Sequence, residues 1–104
     1  MLENTVWRQY NKENNFREAI AKYCVMDSID LIEDDKELYG VLKAKLTKKE
    51  LKLLAMDVAE ISDETIKNDF SFNDEDLQKA KFKLYKKLKQ DKTRLSFRES
   101  ASLE

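Results

Sequence analysis

From Phe16 onward, apolar side chains recur at helical spacing. Phe16, Ala19, Ile20 and Tyr23 share one stripe bordered by Cys24, which predicts a helix capped by Asn14 or Asn15 with Glu18 in its first turn. The stripe continues less cleanly through Ile29 and Ile32. Asp34 and Asp35 read as a fresh helix start, and Leu38, Tyr39, Val41 and Leu42 fill the next apolar face. Gly40 sits among them, where it costs ~1 kcal/mol against Ala. A close helix crossing explains it, and so does a turn that ends one helix.

The clearest start signal is Thr47-Lys48-Lys49-Glu50, an S/T-x-x-E capping box with Leu46 and Leu51 at the staple positions. Leu51, Leu54, Ala55, Val58 and Ile61 then form a core stripe. Ser62 or Asp63 restarts the chain into a short helix over residues 64 to 70. Ser71, Phe72 and Asn73 make a brief turn, and Asn73 or Asp74 caps a last long helix. Its buried stripe is Leu77, Ala80, Leu84 and Leu88, and Asp74, Glu75 and Asp76 meet the positive end of its dipole. Phe82 and Tyr85 lie on a second face, either core or partner surface.

The first ten residues carry Val6, Trp7 and Tyr10, as a short helix or an arm that packs its Trp onto the body. Beyond Gln90 the chain is polar and is expected to fray, with Leu95 and Phe97 available to dock. The expected organisation is one helical domain over residues 1 to 90 and a polar tail over 91 to 104. Leu103 and Glu104 read as a tag scar. The fold class is all-α: a compact bundle of about five helices joined by short connections.

Composition supports this and narrows the chemistry. Of 104 residues none is Pro and one is Gly, which removes most tight hairpins. Histidine is also absent, so the commonest general base and zinc ligand is missing. A single Gly builds no phosphate-cradling loop. The aspartates at 27, 30, 34 and 35 lack the spacing and the Gly of a calcium loop. Cys24, the only cysteine, reads as a small buried hydrophobe. No enzyme, metal, cofactor or small-molecule substrate is therefore expected. One cysteine and no long apolar run point to a cytoplasmic protein with no membrane role.

Net charge is −1, so there is no global polyanion-binding signature. The distribution is uneven: residues 27 to 37 are acidic and 79 to 98 basic. These are two solvated helix faces, or surfaces meant for partners of opposite charge.

Residues 63 to 88 read as helix, tight turn and longer helix. Counted from Asp63, the offsets that a helix-turn-helix needs apolar fall on Ile66, Phe70, Phe72, Leu77 and Ala80, and all five are apolar. Residues 46 to 89, with their Leu46-Thr47-x-x-Glu50 opening, apolar helix and basic last helix, resemble the helix-turn-helix of sigma-factor region four and response-regulator output domains. Lys67 stands where those families carry a small residue, Ser71 where they carry Gly, and Asp76-Leu77 where they carry Thr or Ser followed by Val. The resemblance implies binding of double-stranded DNA by a transcriptional regulator. Its recognition helix would be Asp74–Lys89, with Gln78, Lys79 and Lys81 toward the groove and Lys83, Lys86 and Lys87 on phosphates. The acidic start of that helix opposes such contact. The alternatives are an ordinary capped helical hairpin and a protein-interaction module. The latter would be an adaptor or homodimer anchored by Trp7, Tyr10, Phe82 and Tyr85, because aromatics dominate interface hot spots.

Overall fold

The computed structural model describes residues 5–13 and 15–98. Among them the chain forms seven α-helices and two 3-10 turns, with no strand beyond one isolated bridge, Leu31 to Arg98. The α-helices are α1 (Val6–Tyr10), α2 (Phe16–Cys24), α3 (Asp35–Lys45), α4 (Lys48–Val58), α5 (Asp63–Phe70), α6 (Asp74–Lys89) and α7 (Asp91–Arg94). The 3-10 turns are Ser28–Asp30 and Leu95–Phe97. The all-α expectation is met, with α1 and α7 added to the five longer helices.

Helix α4 is the axle. Leu51, Leu53, Leu54, Ala55 and Met56 are all buried, so it is apolar nearly all round, as a central helix must be. It packs against α1, α3 and α6. Both halves of its capping box form: Glu50 N–H donates to Thr47 Oγ1 at 3.1 Å and Thr47 N–H to Glu50 Oε1 at 2.9 Å. Leu46 and Leu51 are buried at the staple positions.

Trp7 is 0% exposed and meets Phe16 edge to face, centroids 5.9 Å apart. Its indole N–H donates to Asn15 Oδ1 at 2.8 Å. Asn15 therefore stands at the N-cap of α2 without a side-chain cap bond; Asn14, the other cap candidate, lies outside the described residues. Buried Asn11 ties α1 to α4 by donating to the carbonyl of Ala55 at 3.0 Å. An unpaired buried amide would cost ~1–3 kcal/mol, so this bond fixes where α1 sits.

Three expectations need correction. Gly40 lies inside α3, exposed, and a Cβ there would meet nothing within 4 Å, so neither a crossing nor a turn requires it. Ile29 does not continue the α2 stripe: it sits on a 3-10 turn and is 87% exposed, whereas Ile32 is buried. The acidic segment is accordingly a turn plus the first turn of α3, closed by Arg17, which donates to Asp35 Oδ1 at 2.7 Å and to the carbonyl of Glu33 at 2.8 Å.

The packed chain also runs past residue 90. Phe97 and Thr93 are buried, and Ile32 N–H donates to the carbonyl of Phe97 at 2.9 Å. Arg94 donates to the carbonyls of Cys24 at 2.9 Å and Val25 at 3.4 Å, closing the C-terminal end of α2. Leu103 and Glu104 lie outside the described residues.

Three helix ends turn through the left-handed region without glycine: Val25 (φ 56°), Glu60 (φ 62°) and Ser71 (φ 60°). In each the next amide reaches back five residues, Met26 to Ala21, Ile61 to Met56 and Phe72 to Lys67, which is the Schellman closure.

Candidate functional site

Helix α5 starts at Ser62, whose hydroxyl accepts the amide of Thr65 at 3.2 Å. It ends at Ser71, and after Phe72 and Asn73 the chain enters α6. Asn73 Oδ1 accepts the amide of Asp76 at 2.7 Å, and Asp76 Oδ2 accepts the amide of Asn73 at 3.3 Å, forming a second capping box. The five motif positions all face the core. Ile66 and Leu77 are buried, and Phe70, Phe72 and Ala80 are partly buried against them. The Phe70 and Phe72 rings stack 5.2 Å apart.

Helix α6 separates its lysines into two sets. On the inner side, Lys81 reaches Asp57 of α4 at 3.3 Å and Asp63 of α5 at 3.2 Å. Lys87 reaches Glu50 of α4 at 2.9 Å. Tyr85 donates to the carboxylate of Asp57 and stacks on Tyr23 of α2, centroids 4.5 Å apart. Burial and the neighbouring Asp57 carboxylate both push the Tyr85 hydroxyl above its ordinary range. For Lys81 burial works against the charge, but Asp63 and Asp57 outweigh it and hold its pKa above the ordinary value of 10.5. For Glu50 burial opposes ionisation, but the Thr47 amide and Lys87 prevail and its pKa is lowered from 4.5.

The outer side is open. Gln78, Lys79, Lys83, Lys86 and Lys89 are exposed, and Phe82 is 68% exposed in their midst. Lys86 Nζ lies 5.8 Å from the Phe82 ring centre. Lys79 meets only Glu75, at 3.5 Å on the same helix. Lys83, Lys86 and Lys89 have no carboxylate partner among the described residues. The acidic start of α6 is partly answered: Lys67 pairs with Asp74 at 2.5 Å, and Asp76 caps the helix.

Of the six residues expected to face nucleic acid, the structure thus brings Gln78, Lys79, Lys83 and Lys86 onto one free face. Lys81 and Lys87 are turned away from it by carboxylates on α4 and α5. Of the four expected partner anchors, only Phe82 is exposed. Trp7 is core, and Tyr10 and Tyr85 are partly buried against it. Lys89 was missed, although its position seven residues after Phe82 places it near the same face.

No group of three or more His, Cys, Asp or Glu among the described residues is placed to hold a metal ion. Burial pushes the Cys24 thiol from 9.0 up to about 11, partly offset by Arg94, which disfavours the thiolate near neutral pH. No described helix is long and apolar enough to cross a membrane. The chain matches no protein-family model, no curated protein and no solved structure.

Proposed function

We propose that this chain is a non-catalytic, cytoplasmic binding domain that associates with double-stranded DNA through the outer face of α6, as a regulator of transcription. The observation that carries the reading is the division of the lysines. A helix that needed them only for solubility or internal pairing has no reason to gather Lys79, Lys83 and Lys86 around an exposed aromatic. Lys83 and Lys86 have no carboxylate partner among the described residues, and Lys79 has only the exposed Glu75 of its own helix. All three can therefore neutralise phosphates, and an exposed Phe and Gln can address base edges in a major groove. Packing of all five motif positions supports a fixed α5–turn–α6 unit beneath that face. Contact runs through the second turn of α6 and beyond, because Asp74, Glu75 and Asp76 occupy the first.

The test is fluorescence anisotropy of a labelled random-sequence duplex at about 20 mM salt, where phosphate contacts are strongest. Retention is expected, lost when Lys79, Lys83 and Lys86 are all replaced by Gln. Absence of binding at that salt overturns the reading. A protein partner, or a second copy of the chain, is the other reading, favoured by the exposure of Phe82 alone. In that case Phe82→Ala abolishes binding to the partner, and the triple Gln variant leaves most of it.

A further inference from the structure

Beside the outer face of α6, and sharing only Lys83 with it, lies a small cleft where α4, the α5–α6 turn and α6 meet. Its volume is about 170 Å³. Leu53 and Ala80 line it with the stacked rings of Phe70 and Phe72, and Lys49 and Lys83 stand at its edge. Sites for whole small molecules run to ~300–1,000 Å³, so this cleft has room for an anchoring side chain rather than a metabolite. Both edge lysines are exposed, and neither has a carboxylate partner among the described residues. Glu50, the carboxylate that also borders the cleft, is already engaged by Lys87 and the Thr47 amide, so it does not neutralise them.

An apolar recess with two unpaired cations at its edge selects one kind of occupant. The floor offers burial to a Leu or Phe side chain, and the edge rewards carboxylates flanking it. We propose that this cleft docks an acidic peptide segment of a protein partner through one apolar anchor residue. The site does not depend on DNA binding, since Lys83 is its only residue shared with the outer face of α6.

The experiment is a ¹H–¹⁵N titration of the full chain with three synthetic peptides. The first has Leu-Phe flanked on each side by two Glu, the second replaces Leu-Phe by Ser-Ser, and the third replaces every Glu by Lys. The first peptide is expected to give saturable shifts centred on the amides of Leu53, Phe70, Phe72 and Ala80. It is expected to bind about tenfold more tightly than the Lys peptide, the sum of two exposed charge pairs. Lys49→Glu, on an exposed site that leaves the fold alone, is expected to remove most of that preference. The proposal is overturned if the first peptide gives no saturable shifts or shifts centred elsewhere. It is equally overturned if the Ser peptide binds as well, or if Lys49→Glu changes nothing. Because Lys49 lies off α6, these outcomes stand whether or not a duplex binds.

Discussion

The two sides of α6 are built from the same residue types and do opposite things. Inward, Leu77, Leu84 and Leu88 enter the core, and Lys81 and Lys87 finish the packing by pairing with Asp57, Asp63 and Glu50. Outward, Lys79, Lys83, Lys86 and Phe82 point into solvent. A lysine is thus not a binding residue because it sits on a basic helix. It is one when no carboxylate of another helix has claimed it, and a rotation of about 100° per residue decides which occurs.

Truncation separates the sides most sharply. Leu84→Ala is expected to cost ~2–5 kcal/mol, as large-to-small changes in a packed core do. Phe82→Ala on the outer side is expected to stay within ~0.5 kcal/mol. Urea unfolding followed by circular dichroism measures both, and similar losses would erase the distinction.

The turn that sets α6 against α5 offers a gain. Ser71→Gly removes the left-handed penalty of a side chain at φ 60° and is expected to stabilise by about 1 kcal/mol. The urea midpoint rises with unchanged slope, and duplex affinity stays the same because the outer face is untouched. Val25→Gly, on the far side of the fold, serves as the matching control.

Charge removal ranks next. Lys81→Met leaves Asp57 and Asp63 without their shared cation and is expected to cost up to about 1 kcal/mol, in the range of partly exposed pairs. Lys79→Met is expected to leave the unfolding midpoint unchanged.

The smallest effect is a pH dependence. The pKa of Glu50 is lower folded than unfolded, so its contribution is complete above the ordinary value of 4.5 and is lost as pH falls through the folded value. Wild-type stability is expected to decline below about pH 4.5 more steeply than that of Glu50→Gln. Parallel curves in thermal melts would contradict the Glu50–Lys87 bond.

Much of the frame was legible because caps and stripes are local. Thr47, Ser62 and Asn73 each announce a helix start through bonds that reach only three residues, and Leu77, Leu84 and Leu88 repeat at the helical period. The left-handed ends at Val25 and Glu60 were hidden because neither residue is the Gly or Asn that signals such a turn. The fate of Trp7 was ambiguous because five residues of α1 are too short to show a period. The site was half legible. Lys81 follows Leu77 by four residues and precedes Leu84 by three, which already places it beside the buried stripe, and Lys87 precedes Leu88. The carboxylates that hold them come from α4 and α5, however, and those meetings exist only after the chain has folded.

The most direct test compares the salt dependence of duplex binding between inner and outer variants. Each phosphate contact adds ~0.9 to the slope of log affinity against log salt. Replacing Lys79, Lys83 and Lys86 together by Gln is predicted to reduce that slope by roughly 2 to 3, whereas replacing Lys81 and Lys87 by Gln leaves it unchanged. Equal reductions from both sets, or a wild-type chain that binds no duplex, would contradict the account.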